Sequence, residues 1–303
     1  MPASDPVTPF ADEPILLFGA SGLVGAEVLD LAAAATRPVF AVSRSTRAPD
    51  NGCSGIQGLC GPSFDLYTGP GPWPRAATVI SCGPLDALAA WLERVRPAGL
   101  HRLVALSSTS VETKTASPDP AERALVERLA RAESRVVGHC EASGIRWTLL
   151  RPTLIWGRGR DRNVSRLASM ARRFGVIALP AFARGQRQPI RARDVAAALL
   201  AAIDRPASES RRLDLPGGET LAYDEMVRRI IVATAPRGRI VRLPGLLVSA
   251  VTRTLAALGF AGPAIAAIER MREPLVFDGG PACDALGVAP LGFDPVAADF
   301  GDD

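Results

Sequence analysis

Lysine is almost absent from this 303-residue chain. Lys114 is the only one, and the other 34 of the 35 basic side chains are arginines. With 28 Gly, 26 Pro and abundant Ala, this pattern signals a compositional bias, so no single arginine carries weight by its presence alone. Histidine is limited to His101 and His139. The five cysteines (Cys53, Cys60, Cys82, Cys140 and Cys283) are odd in number and none is spaced C-x-x-C. A zinc site and a disulfide framework are therefore not expected, and the thiols suit a reducing, cytoplasmic setting. Aromatic residues make up only 5%, which leaves few platforms for stacking on single-stranded bases. The net charge of +4 comes without a block of like charges, so nucleic-acid binding is not indicated. Residues 1–13 have no basic n-region and no apolar core, so they predict a loosely ordered leader and not a signal peptide. No apolar run reaches the ~20 residues of a membrane-spanning helix. The stretch 243–268 comes nearest, with Arg253 as its only charge, but Pro244, Gly245, Gly259, Gly262 and Pro263 interrupt it. It predicts two short helices, which would serve as buried packing elements, a subunit or partner interface, or a peripheral membrane contact.

What is present is a regular alternation. Ile15–Phe18 is a short apolar run that stops at Gly19, and helical spacing follows through Leu23, Val24, Val28, Leu29 and Leu31. A second strand is predicted at 38–42. Strand, Gly-rich turn, helix, strand is a βαβ unit. Further strands are predicted at 77–81, 101–106 and 145–150, with helices at 85–95 and 120–143 between them. Strands alternating with helices imply a doubly wound parallel sheet of the Rossmann kind. The pattern breaks after Pro152: 157–188 is irregular and rich in Arg and Gly. A helix capped by Asp194 and a strand at 212–215 then precede 219–303, which predict a smaller C-terminal substrate or interaction lobe. The expected division is 12–157 with 188–217 for the nucleotide domain, and 158–187 with 218–303 for the lobe.

The turn Gly19-Ala20-Ser21-Gly22-Leu23-Val24-Gly25 follows a strand and opens a helix. Glycines there permit close backbone approach and free N–H groups, and the helix start offers its positive end, which together suit a pyrophosphate. At the end of the second strand, an acidic residue would select NAD and an arginine would accommodate the 2′-phosphate of NADP. The sequence there is Val42-Ser43-Arg44-Ser45-Thr46-Arg47, with no acid before Asp50. NADP(H) is therefore expected over NAD(H), with Arg44 on the phosphate and Ser43 assisting; Arg47 is either a second contact or a solvated side chain.

The G-x-x-G-x-x-G spacing resembles the short-chain dehydrogenase/reductase superfamily. Arg151-Pro152-Thr153-Leu154-Ile155-Trp156-Gly157 is similar to the "RPxxxYG" signature of its extended, epimerase/dehydratase-like branch, and Ile190-Arg191-Ala192-Arg193-Asp194-Val195-Ala196 to that branch's "VHVDDVA" segment. The resemblance spans about residues 14–295. It implies that Ser81, Cys82, Gly83, Ser107, Arg151 and Pro152 line the cofactor cleft, and that Asp65 either contacts the adenine or is an ordinary turn aspartate. The family's chemistry uses a Tyr-x-x-x-Lys pair on the helix after the fifth strand. Tyr67 and Tyr223 are the only tyrosines, neither has Lys at that spacing, and alignment on Ala130 to Glu133 puts Leu125 and Leu129 at the two positions. This departure resembles the atypical branch, including the accessory nucleotide-binding subunit of respiratory complex I. The usual mechanism is thus excluded. The chain is expected to be an NADP(H)-dependent oxidoreductase or epimerase/dehydratase-type enzyme with a substitute acid among Ser108, Thr109 and Lys114, or else a non-catalytic NADP(H) sensor or accessory subunit. For Lys114 the alternative, a solvated loop lysine retained by chance, is the stronger expectation. Arg158, Arg160, Arg162 and Arg166 either meet an anionic substrate at the cleft mouth or form a solvated basic loop. His101 and His139 are expected to be structural.

Overall fold

The computed structural model describes residues 13–43, 55–257 and 261–301. Arg44, Arg47 and the leader up to residue 12 lie outside the described residues, as do residues 258–260 of the 243–268 stretch.

Seven parallel strands form one sheet: β1 (Ile15–Phe18), β2 (Val39–Ser43), β3 (Ile56–Cys60), β4 (Thr78–Ser81), β5 (Arg102–Leu106), β6 (Arg146–Pro152) and, much later in the chain, β11 (Arg211–Leu215). Their order is β11-β6-β5-β4-β1-β2-β3. Alternate residues of each strand face opposite ways, as the two-residue period of a strand dictates. Ile15, Leu17, Ala41, Ile80, Val104, Leu150 and Leu213 enter one core, with helices α1 (Leu23–Ala34) and α6 (Ala192–Ile203). Leu16, Phe18, Val42, Val79, Leu103, Ala105 and Leu149 enter the other, with α2 (Leu85–Val95) and α4 (Pro120–Ala142). A sheet covered on both faces is what continuous apolar strands require. Asp119 starts α4: its carboxylate accepts the Ala121 N–H at 3.0 Å, and Pro120 takes the first helical position, where its missing N–H costs nothing.

The doubly wound sheet expected from the alternation is present, and two parts of the chain depart from expectation. Strand β3 was not predicted. Its sequence, Ile-Gln-Gly-Leu-Cys, is half polar because it is the sheet's edge and buries little. The segment 157–188 is not irregular: it contains α5 (Val164–Phe174), stopped by a left-handed Gly175, and β8 (Val176–Pro180). A four-residue helix, α3 (Ser110–Thr113), follows β5. The remaining elements are β7 (Ile155–Trp156), β9 (Gln186–Arg187), β10 (Ile190–Arg191), β12 (Leu221–Ala222), α7 (Tyr223–Thr234), β13 (Arg239–Leu243), α8 (Gly245–Ala257), α9 (Ala261–Arg270) and α10 (Gly280–Leu286). Three two-stranded pairings join them: β10 with β7, β12 with β9, and β13 with β8. Two further cores sit among these elements. One is built on Trp156, Val164, Leu221, Ile230 and Phe293, the other on Ala171, Ile177, Leu179, Val227 and Ile231. Helix α10 instead packs Ala282, Ala285 and Leu286 into the α1–α6 core of the sheet. The predicted pair of short helices in 243–268 is α8 and α9; Leu246 and Leu247 of α8 are exposed. Among the described residues, no helix is long and apolar enough to cross a membrane.

At the amino end of β5, across the sheet from the glycine turn, Arg102 is 1% exposed. Its guanidinium donates to the Leu103, Arg146 and Ala202 carbonyls and to the Thr148 and Ser208 hydroxyls, tying β5, β6, α6 and the 206–208 turn together. Burial pushes its pKa down to about 10, and the charges of Glu209 and Asp204 offset part of that cost. Arg102→Leu leaves those acceptors buried and unmatched. It is expected to lower the unfolding free energy in urea by about 2–4 kcal/mol, while Arg211→Ala, at an exposed position, stays within about 0.5 kcal/mol of the parent.

Candidate functional site

Strands β1 and β4 are neighbours, but the connections leaving them run to opposite faces of the sheet: α1 on one side, α2 on the other. Such a switch point leaves a crevice at the carboxyl ends of the two strands. Here it is a cavity of about 200 Å³ between the Gly19–Gly22 turn and the Cys82–Pro84 segment. The two walls touch. The Cys82 N–H donates to the Phe18 carbonyl at 2.9 Å, and a Cβ on Gly19, which has φ +74°, would lie 2.8 Å from the Cys82 carbonyl carbon and the Gly83 nitrogen. A Cβ on Gly25 would lie 2.2 Å from the Gly19 carbonyl oxygen, so only glycine lets α1 start this close to β1. No side chain caps α1, and its first turn holds no acid. Its N-terminal N–H groups and dipole are suited to an anion.

Of the residues singled out from the sequence, Gly19, Ser21, Gly22, Ser43, Asp65, Cys82 and Gly83 line this cavity together. Ala20, Leu23, Val24 and Gly25 pack against the core behind it and shape the turn. Ser43 Oγ donates to Ser21 Oγ at 2.8 Å, linking the end of β2 to the turn. Asp65 Oδ1 accepts the N–H groups of Tyr67 and Thr68, both at 2.9 Å, which is the work of a turn aspartate; the residue also borders the cavity. Cys82 carries a thiol that burial pushes up to about 12, so it stays protonated and is no nucleophile at neutral pH. The apolar wall was not foreseen: Val42, Phe64, Leu66, Tyr67, Pro84 and Ala87 complete the lining. Phe64 is braced by Trp73, which stacks edge-on with Phe18 and Trp91. The aromatic density of 64–73 in a chain with 5% aromatics was the available signal. Ser81, at the end of β4, is fully buried behind the wall.

The other singled-out residues gather at the ends of β5 and β6. Ser107 Oγ donates to Glu133 of α4. Arg151 grips the same carboxylate with two bonds, 2.9 and 2.6 Å, and also Glu112 at 2.7 Å. Burial alone would raise the pKa of Glu133, but hydrogen bonds from Arg151 and Ser107 and the charges of Arg151 and Arg212 outweigh it and hold the carboxyl below its usual range. Glu133, which the sequence does not mark out, joins the carboxyl ends of β5 and β6 to α4. Thr109 is buried, and both its N–H and its hydroxyl are directed at the Pro152 carbonyl at 3.3 Å. Ser108 Oγ accepts the Ser110 N–H at 3.1 Å. Lys114 is not a solvated loop lysine: it pairs with Glu122 at 3.3 Å, and Glu122 also accepts from Ser117 and from Arg270 of α9. The arginine loop is not simply solvated either. Arg158 pairs with Glu27 and Asp30 of α1, and Arg160 donates to the Ser21 carbonyl at 2.7 Å, although all four arginines of the loop are exposed. His101 precedes β5 and His139 lies near the end of α4, both away from the crevice.

No protein-family model matches the chain. It is 25% identical over 251 residues, 81% of each protein, to an NAD(P)H azoreductase of Xenophilus azovorans. Among solved structures it is similar to an epimerase of Methanothermobacter thermautotrophicus, with a TM-score of 0.69 at 14% identity, covering 93% of this chain and 89% of that one. It is also similar to the UDP-glucose 4-epimerase of Thermotoga maritima, solved with UDP-glucose (TM-score 0.66, 15% identity, 91% and 93% covered). A short-chain dehydrogenase/reductase superfamily protein of Agrobacterium tumefaciens, solved with NAD, superposes with a TM-score of 0.58 at 17% identity (86% and 94% covered). The chain has the short-chain dehydrogenase/reductase fold in its epimerase/dehydratase-like form.

In this short-chain dehydrogenase/reductase fold, α4 is the helix on which the family's Tyr and Lys are expected. Leu125 is 46% exposed on it and Leu129 packs against the α2–α4 core. Neither can donate a proton. What α4 does supply is the Glu133 carboxylate that fastens it to β6. Because the folded pKa of Glu133 lies below the unfolded value of ~4.3, its stabilisation is complete above that value and is lost as pH falls through the lower folded one. Glu133→Gln is therefore expected to lower stability by about 2–3 kcal/mol at pH 7. In parallel urea titrations the gap between the two proteins should close as pH falls below 4.

Proposed function

We propose that the chain binds NADP(H) in the β1/β4 crevice and acts as a slow oxidoreductase of the short-chain dehydrogenase/reductase type, in the cytoplasm. The observation that carries this is the crevice itself: a glycine cradle that a single Cβ at Gly19 would fill, an uncapped helix start and an apolar wall lie together at the switch point. In this reading Gly19–Gly25 hold the pyrophosphate, and Phe64, Leu66, Tyr67 and Pro84 cover the adenine beside Asp65. Ser43 and Arg44 read the 2′ position, with Arg44 selecting NADP over NAD by charge. Cys82, Gly83, Ser107, Arg151 and Pro152 form the floor, with Ser81 packed behind it. A dinucleotide bound there would supply the hydride, and the azoreductase relative makes azo compounds, beside carbonyls and sugar nucleotides, the first acceptors to test. The acid is drawn from Ser108, Thr109 and Lys114. Ser108 leads, since its Oγ accepts a backbone N–H and leaves its own proton to give, whereas the other two already donate to Pro152 and Glu122.

The absence of a proton donor at residues 125 and 129 supports a second reading, a non-catalytic NADP(H) sensor or accessory subunit that meets its partner through 243–268, where Leu246 and Leu247 are exposed. Calorimetric titration with all four dinucleotides is expected to rank NADPH tightest. Arg44→Ala should weaken NADPH about tenfold and leave NADH within twofold. Tighter binding of NADH would overturn the NADP assignment.

A positioned acid contributes ~10²–10⁴-fold. Ser108→Ala should therefore cut NADPH oxidation at least tenfold on any accepted substrate, with smaller losses for Thr109→Ala and Lys114→Met. Tight NADPH binding without turnover on any acceptor decides for the second reading, and fast turnover indifferent to all three changes places the active site elsewhere.

A further inference from the structure

The loop between β7 and α5 takes an uncommon path. Gly157, Arg158 and Gly159 have φ of +134°, +54° and +62° in succession. An arginine in the left-handed region is strained by about 1 kcal/mol, so the surroundings must hold it there. They do so from three sides. Arg158 is fastened to Glu27 at 2.6 Å and to Asp30 on α1. The Gly159 N–H donates to the Asp299 carbonyl at 2.8 Å, and the Phe300 carbonyl oxygen lies 2.2 Å from where a Cβ on Gly159 would stand. Asp161 accepts the N–H groups of Asn163 and Ser165, both at 3.0 Å, and so fixes the far end of the loop at the start of α5.

The outcome of this bracing is the placement of Arg160. Its guanidinium reaches the glycine turn and donates to the Ser21 carbonyl at 2.7 Å, one residue before Gly22 opens α1. A guanidinium has five donors, and this carbonyl takes one. Among the described residues no carboxylate pairs with Arg160, although its neighbour Arg158 has two. A cation therefore stands beside the positive end of a helix whose first turn carries no acid. Arg160 is exposed, and a cation and a helix start that face the same space both favour an anion between them. The cavity bordered by Ser21 and Gly22 is the space such an anion would enter.

We propose that Arg160 is a binding residue for the dinucleotide pyrophosphate, brought over the glycine turn by the braced 157–161 loop. The inference rests on the crevice being the NADP(H) site. It assigns to Arg160 a phosphate that NADPH and NADH share, unlike the 2′-phosphate assigned to Arg44.

Calorimetric titration of the full chain with NADPH, NADH and ADP tests it. Arg160→Gln is expected to weaken all three about tenfold and to flatten the decline of affinity with salt, while the ligand-free melting temperature stays the same or rises, as loss of an uncompensated cation predicts. Arg160→Lys should recover part of the loss. Gly159→Ala, which displaces the loop without changing its charge, should weaken the same three ligands. Unchanged affinities in Arg160→Gln would overturn the proposal, as would a loss confined to NADPH, which would put Arg160 on the 2′-phosphate. Failure of the unaltered chain to bind NADPH, NADH or ADP would overturn the crevice reading and this inference with it.

Discussion

Three backbone segments meet at Gly19: the end of β1, the first turn of α1 and the start of the β4–α2 connection. Their separations leave no room for a Cβ at residue 19 or at residue 25. This close approach sets the entry angle of α1 and thereby its packing against α6. It sets equally the width of the crevice, because the same Gly19 that admits α1 also touches Cys82 and Gly83. Fold and cavity are thus two results of one steric condition. Had either glycine been larger, α1 would stand off from β1, and both the core contacts of Val24 and Val28 and the exposed N–H groups at the helix start would be displaced together.

Around this point the structure is held by arginines used as multidentate donors. Arg102 fastens the amino ends of β5 and β6, Arg151 their carboxyl ends, and Arg187 donates to the carbonyls of Gln186, Arg270 and Glu273. Arg229 joins α7 to Glu219 and to the Phe293 carbonyl. A guanidinium can serve several acceptors in a plane at once, and an ammonium of equal charge cannot hold that geometry. The compositional bias toward arginine therefore has structural consequences. Among the described residues, most arginines are committed to carbonyls or carboxylates, and Arg160 is fastened to a carbonyl of the glycine turn itself.

The parallel sheet was legible because its strands are apolar on both faces and punctuated by glycine at Gly19 and Gly144; those signals are local. Strand β3 was illegible because an edge strand has only one neighbour, β2, and buries little, so its half-polar sequence resembles a loop. Helix α5 was hidden by Arg166, Arg172 and Arg173, which are polar on the solvent side, while its buried face is made of Val164, Ala168 and Ala171, residues too small to mark a stripe. At the site, the glycine turn and Ser43 were readable from their place in the βαβ unit. The apolar wall and the Glu133 hub were not, since both depend on elements far apart in the chain: Glu133 meets Ser107, Arg151 and Arg212. Thr109 and Lys114 show the same limit from the other side. Residue type and position beside a strand end nominate them, but only tertiary structure reveals that their protons point at Pro152 and Glu122.

Helix α4 separates two tasks that one helix could perform together. Its inward face fastens β5 to β6 through Ser107, Glu133 and Arg151, with Ala132 and Val136 sealing the core beneath. One to two turns earlier, where proton chemistry would be placed, it carries Leu125 and Leu129. The fastening is independent of those two side chains: Leu125 lies in solvent and Leu129 only touches the core edge. The frame that would position a dinucleotide and an acceptor can therefore persist without the acid that speeds the reaction. Binding in such a crevice and catalysis beside it would be separable, because the first would depend on glycines and backbone amides and the second on side chains that the frame does not need.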